Sequence, residues 1–560
     1  MIKLGRPCLL WPMGVLRLGN AFYNKLAFSN LRNHKSMYGP YFLAAVIMSA
    51  MYFIILNIVF SQSIANMTYG LTMQGMFSCG IVVMSFFTIG YMLYINSFLI
   101  KRRKKEFGLY AILGLEKRHV GQIILRENFI LNICAVAFGL LVGIILGKLV
   151  MVVLLMLLHT APGSYYQISP MALVVTGLLF GGIFILTTFY NLLQVRMANP
   201  VDLMQGEKKG ERKLRGVIPF TIAGLLLLLS GYGAAILVNS SAAALVLFWP
   251  AVLVVIMATW LLFIVGSNFL LTRLQNNKQF YYQPDNFIAV SGLLHRLRQH
   301  AGGLANICIL STMVIVTVSC CTALFFGQES ILRQNHPADI KIVFYDEDSN
   351  KAHRQAVIAG EQAEILAIQY GLTLVPLAEQ ELPESAISFN VSGDSVVAAD
   401  FAGVLKQQIA GLAEGGYSFS DIFESRNSAY ALYGGLLFLG VFFALLFLTN
   451  TVLIIYFKQV SESYDDQERF AIMQKVGMDD VAVKRAIDKQ VRIVFFLPLA
   501  VAIVHMAAAS HMIIKLMECF GLLDAGITLL CIGCTTAVFS LVYICVFRIT
   551  ARTCYRMLKC

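Results

Sequence analysis

The chain has 560 residues, 58% of them hydrophobic and only 13% charged, with a mean hydropathy of +0.73. Soluble domains carry about twice that charged fraction, and apolar runs of roughly 20 residues recur along almost the whole length, so a soluble globular protein is excluded. The formal charge of +12 is segregated: Gly327 to Ala429 holds 15 Asp/Glu against 6 Lys/Arg, whereas the remainder holds 37 Lys/Arg against 16 Asp/Glu. That pattern fits basic cytoplasmic loops with one acidic domain outside, and not a nucleic-acid binder.

Irregular backbone cannot face lipid, so the spans should be helices, and the short alternating strands of a membrane barrel are absent. Residues 1–40 read as a tail followed by an interfacial helix, with Phe22, Leu26 and Leu31 on one face and Lys25, Arg32 and Lys35 elsewhere. Cys8 to Leu16 is too short, and too interrupted by Pro12, for a cleavable signal peptide. Ten spans follow, at about 41–63, 76–100, 129–157, 168–193, 217–238, 242–271, 303–326, 430–457, 491–514 and 524–548. Basic clusters after spans 2, 4 and 10 and before span 7 place those loops and both termini in the cytoplasm.

The acidic insert, 327–429, is predicted outside as a small α+β domain. Its expected strands are Asp339–Tyr345, Leu372–Leu377 and Ala386–Val391, with helices Asn350–Tyr370 and Asp400–Leu412. None of the twelve cysteines lies in it. Most sit in apolar runs and read as small buried hydrophobes. Cys531 and Cys534 lack the further ligands a metal site needs, so no metal is expected.

Two segments repeat. Phe107 to Glu116 and Phe470 to Asp479 occupy charged loops 363 residues apart, with identities at Phe107/Phe470, Gly114/Gly477, Val120/Val483 and Ile124/Ile487. Asn286, Ala289, Ser291 and Leu293 before span 7 likewise echo Asn24, Ala27, Ser29 and Leu31 before span 1. The predicted fold is therefore an all-α polytopic membrane protein with two four-helix repeats. The first repeat is 41–200. Spans 5 and 6 in 201–280 link it to the second, made of the interfacial helix and span 7 in 281–326 and spans 8–10 in 430–560. An even number of linking spans makes the repeats parallel.

Residues that carry chemistry are few. Gly143 to Lys148 is only superficially a P-loop: it is one residue short, lacks the Ser/Thr and lies inside span 3. No nucleophile motif or carboxylate pair is present, so catalysis by this chain is not expected. The repeated loops are the better candidates, with Glu106, Phe107, Leu109, Gly114 and Leu115 in one and Phe470, Ile472, Gly477 and Met478 in the other. Their apolar residues at helical spacing offer two equivalent docking points for a symmetric partner; the bland alternative is an interfacial helix on headgroups. Lys148, His511 and Lys515 near the outer ends of spans 3 and 9, with Asn57 and Gln62, are candidates for an anion site taking a lipid phosphate or pyrophosphate. Snorkelling of the cations to headgroups is the simpler alternative, and His505 reads as a satisfied core histidine.

Phe28-Ser29-Asn30-Leu31-Arg32, the Lys104–Gly114 loop, its copy at Phe470–Gly477 and the insert after span 7 together resemble the FtsX-like, MacB-type permeases of ABC transporters. The ten-span form is most similar to the bacitracin-resistance, BceB-type permeases. The resemblance implies that ATP and Mg are bound by two copies of a separate ATPase, which press on coupling helices at 104–116 and 467–479. It implies resistance to peptide antibiotics by freeing undecaprenyl pyrophosphate, or a related polyprenyl pyrophosphate, from the drug. It also implies association with a histidine kinase of a two-component system. The insert is about half the size usual in that subfamily. Extraction of a lipoprotein or lipid, and a signalling scaffold, are the alternative functions.

Overall fold

In a computed structural model, residues 20–67, 69–158, 166–197, 217–282, 284–346, 349–376, 385–412, 416–475 and 480–558 are described. The expected N-terminal tail and the basic cluster at 208–215 lie outside them. Ten of the described helices are long and apolar enough to cross a membrane: Met37–Val59, Gly70–Ile100, Lys117–Leu157, Pro170–Met197, Val217–Leu237, Ser241–Asn276, Ala301–Asn335, Ile422–Gln459, Gln490–Cys519 and Ala525–Thr550. Each overlaps one expected span, because long apolar runs leave the backbone no other way to satisfy its hydrogen bonds in lipid.

Chain order begins with α1 (Asn20–Asn33), α2 (Lys35–Val59), α3 (Gln62–Ala65), α4 (Gly70–Arg102), α5 (Lys104–Ile112), α6 (Lys117–Leu157) and α7 (Pro170–Met197). The chain divides into two compact units, the first formed by residues 1–57, 82–146 and 168–212. Small residues let its helices approach. A Cβ on Gly139 of α6 would lie 1.8 Å from Ser49 Oγ of α2, and one on Gly143 would lie 2.8 Å from the Phe53 ring. The glycines read as a false phosphate loop are thus partly a packing face. Polar side chains join the same helices where apolar lipid supplies no drive to associate. Asn96 and Asn191 exchange side-chain hydrogen bonds at 2.6 and 3.0 Å, and the Tyr41 hydroxyl donates to Asn132 at 3.3 Å.

The second unit comprises residues 58–81, 147–167 and 213–560. Its helices are α8 (Val217–Leu237), α9 (Ser241–Leu261), a π-helical turn at Leu262–Gly266, α10 (Ser267–Asn276), α11 (Lys278–Tyr281) and α12 (Pro284–Asn335). After the insert come α15 (Ile422–Lys475), α16 (Asp480–Cys519) and α17 (Ala525–Leu558). α12 packs on α15, α16 and α17, with Phe263, Leu304, Cys308 and Ala502 in one buried cluster. His505 of α16 is buried, its Nδ1 2.6 Å from the Tyr232 hydroxyl and its Nε2 3.0 Å from Thr259 Oγ1. Both ring nitrogens are therefore occupied by neighbouring helices.

The insert runs β1 (Ile340–Tyr345), α13 (Ser349–Gln369), β2 (Thr373–Pro376), β3 (Ala386–Ser392), α14 (Ser395–Leu412) and β4 (Gly416–Asp421). The sheet order is β2-β3-β1-β4, every pair antiparallel, which is the split βαβ arrangement. Ile340, Ile342 and Phe344 bury one face of β1 with Ala356, Phe401 and Leu405 from the helices. Two differences from expectation stand out. α14 begins five residues before Asp400, and β4 is a strand absent from the expected set, since Gly415 and Gly416 obscure the alternation of Tyr417 and Phe419.

The halves of the chain also differ. α1 and α2 part at His34, and α4 and α5 part at Arg103. The segment expected as an interfacial helix before span 7 is instead continuous with it in α12, and span 8 runs unbroken to Lys475.

Candidate functional site

The corner between α4, α5 and α6 is built around a buried ion pair in the first unit. Arg103 and Glu127 are each 1% exposed. The Arg103 guanidinium donates Nη1 to Glu127 Oε2, Nη2 to Oε1 at 3.1 Å and Nε to Glu106 at 2.9 Å. Glu127 also accepts from Asn30 Nδ2 of α1 at 2.7 Å and from the Tyr38 hydroxyl of α2 at 3.0 Å. Four donors fill the carboxylate's acceptor capacity. The guanidinium lies over the rings of Phe107, at 5.0 Å, and Tyr38, at 5.5 Å. Burial opposes the Arg103 charge, but Tyr38, Glu127 and Glu106 outweigh it and raise its pKa.

Around this pair Ile100, Phe107, Val120, Ile124 and Val195 form a buried apolar cluster that Tyr110 and Leu115 cover. α5 ends in a Schellman motif. Gly114 takes φ +85°, and the Leu115 N–H donates to the Tyr110 carbonyl at 3.0 Å. Gly114 therefore makes the turn, and Leu115 closes it against the cluster.

The docking face read from the sequence is corrected here. Phe107 is 4% exposed and packs inward, because the break at Arg103 rotates α5 against the foot of α6. The outward edge consists of Leu109, Ile112 and Leu113, at 52, 63 and 70% exposure, flanked by exposed Gly114, Glu116, Lys117 and Arg118. Glu106 is held by Arg103 and by His34 Nε2 at 3.3 Å. In the second copy Phe470 and Ile472 belong to α15, whereas Gly477 and Met478 lie outside the described residues. The face assigned to α1 also changes: Tyr23, Ala27 and Asn30 are buried and Leu26 and Leu31 only partly so.

The sequence reading missed Arg103, Glu127, Asn30 and Tyr38. Arg103 is hidden in the basic run Lys101–Lys105. Glu127 carried the available signal, being the only acidic residue in α6 and needing a cation if buried at the edge of an apolar span.

Three members of the proposed anion cluster, Asn57, His511 and Lys515, have partners within the fold. Lys515 pairs with Glu518 at 2.8 Å, Glu518 also accepts from Ser241 at 3.1 Å, and His511 Nε2 lies 3.0 Å from the Val238 carbonyl. Lys148 is exposed on α6, Gln62 opens α3, and Asn57 accepts from the Ser169 N–H at 2.8 Å. The second unit instead holds a cavity of about 300 Å³ below the insert, lined by Tyr69, Met73, Met76, Asn335, His336 and Tyr433 among others. Among the described residues no cluster of His, Cys, Asp and Glu could hold a metal ion.

Residues 78–200, which contain this corner, match the family of FtsX-like permease C-terminal domains. The bacitracin export permease protein BceB of Bacillus subtilis strain 168 is 23% identical over 57% of this chain and 51% of its own length. BceB of Halalkalibacterium halodurans is 24% identical over the same shares. For these relatives the match spans about half of their length. The ABC transporter permease protein YxdM of B. subtilis is 21% identical over 86% of this chain and 92% of its own. With its ten helices long and apolar enough to cross a membrane, the chain is similar to the FtsX-like ABC transporter permeases of BceB type.

Proposed function

We propose that this permease is the membrane subunit of an ATP-driven complex that protects a bacterial cell from bacitracin-like, cell-wall-targeting peptides. The observation that carries the proposal is the similarity to two relatives named for bacitracin export. The exposed edge of Leu109, Ile112 and Leu113 supports it, since an apolar strip rimmed by charge suits a soluble partner. In this reading two copies of an ATPase bind ATP and Mg, one against α5 and one against the end of α15. Their closure moves the spans as a two-state switch. Release of a polyprenyl pyrophosphate from the drug is the proposed outcome, with a histidine kinase reading the activity. The insert then lies outside and both termini inside.

Affinity purification from the native membrane, with mass spectrometry of proteins and lipids, tests this. A stoichiometric ATPase with a polyprenyl pyrophosphate is the expected result. An ATPase with a lipoprotein would move the function to extraction, and no ATPase would remove the transporter reading.

A further inference from the structure

Both helix breaks of the first half meet at one carboxylate. His34, where α1 and α2 part, and Arg103, where α4 and α5 part, contact Glu106 at 3.3 and 2.9 Å. The rest of the Arg103 guanidinium is locked on Glu127 of α6, which in turn holds Asn30 of α1 and Tyr38 of α2. Four helices therefore converge on a single buried ion pair. In the second half neither break exists, since α12 and α15 are continuous. At the repeat offset of 363, Arg103, Glu106 and Glu127 correspond to Asp466, Arg469 and Gln490. The first two charges are reversed and the third is gone.

Stability alone does not call for such a pair. Taking two charges out of water is unfavourable, and apolar side chains of similar volume pack as stably or better. Bidentate bonding instead fixes direction, so a displacement of α5 is carried to whatever holds Glu127. The Phe107 and Tyr38 rings lie against the guanidinium, at 5.0 and 5.5 Å, and limit its movement.

We propose that the His34–Glu106–Arg103–Glu127 cluster is a joint, present in the first half only, that passes movement of the α5 edge to α1, α2 and α6. The two ATPase contacts are then mechanically unequal: the first turns on an ion-paired hinge and the second acts as one continuous lever. Arg103 and Glu127 are positioning residues, lying beneath the docking edge. The inference rests on the proposed docking of an ATPase at α5.

The test uses the purified complex of permease and ATPase, reading permease-stimulated ATP turnover beside thermal unfolding. E127Q leaves the Arg103 charge short of a partner and should lower both. R103Q/E127Q removes both charges, so its unfolding temperature should return to within about 3 °C of wild type, while stimulation stays about tenfold reduced. Q490A, at the matching buried position of α16, should retain stimulation within about twofold of wild type. A double variant that recovers both stability and stimulation would make the pair a structural strut and overturn the joint. A double variant as unstable as E127Q would do the same. An equal loss in Q490A would remove the inequality of the halves. If the wild-type permease gives no stimulation, the docking itself falls and the joint falls with it.

Discussion

Gly139 has no room for a side chain. Its missing Cβ would meet Ser49 Oγ at 1.8 Å and the Val46 carbonyl at 2.8 Å, the latter a backbone atom that cannot swing aside. Gly181, in α7, has nothing within 4 Å of the same position. Gly139→Leu should therefore destabilise the first unit by about 1–3 kcal/mol, the usual cost of overpacking, whereas Gly181→Leu should leave it near wild type. Thermal unfolding in detergent separates them, and equal unfolding temperatures would show that α2 and α6 do not rely on this contact. Asp339 makes a comparable case outside the spans. Its carboxylate accepts from Arg333 at 2.8 Å and from the Val391 N–H at 2.9 Å, and its carbonyl accepts from the Ile422 N–H at 2.8 Å. One residue thus ties the end of α12, the sheet and the start of α15.

α5 shows what a sequence pattern reveals of an element and what it does not. The repeat located the segment, because Phe107, Gly114, Val120 and Ile124 recur with their spacing intact. It could not say which side faces out. That depends on a one-residue break at Arg103 and on a carboxylate 24 residues on, both invisible to periodicity within the element. The recurring residues turned out to be those that build the corner, with Phe107 in the core and Gly114 at the turn, while the exposed edge falls on Leu109, Ile112 and Leu113. The spans were legible for the opposite reason, since lipid leaves only one backbone solution to a long apolar run. Leu113→Asp should then keep the wild-type unfolding temperature and lose co-purification with the ATPase. Phe107→Asp should unfold the corner, by about 3–5 kcal/mol for loss of a buried aromatic. If Leu113→Asp still retained the ATPase and Phe107→Asp lost it while folded, the outward edge would be misassigned.

At the scale of the molecule, the insert is closed upon itself and tied to its flanking helices at one place. Ile340 at its start pairs with Asp421 at its end, so the two connections to α12 and α15 leave side by side. Arg426 of α15 reaches Glu329 of α12 across that junction at 2.8 Å, and Arg333, one turn on in α12, lies 3.5 Å from the same carboxylate. A chain whose ends are adjacent can be cut out and bridged by a short linker with little entropic cost. Replacing 337–421 with a few Gly and Ser residues should leave α12, α15 and the α5 corner folded, and the ATPase should still co-purify. The excised segment holds much of the acidic charge that distinguishes Gly327–Ala429. On the proposed topology it faces outward and draws cationic peptides by a long-range field, an effect that weakens as salt rises. The truncated permease should therefore lose protection against a cationic peptide, and in the intact protein drug-stimulated ATP turnover should fall with ionic strength. Both are measurable, one as the inhibitory concentration of the peptide for cells and the other on purified complex. Full protection by the truncated permease would assign recognition to the spans, where the 300 Å³ cavity lined by Tyr69, Asn335 and His336 would be the next place to look.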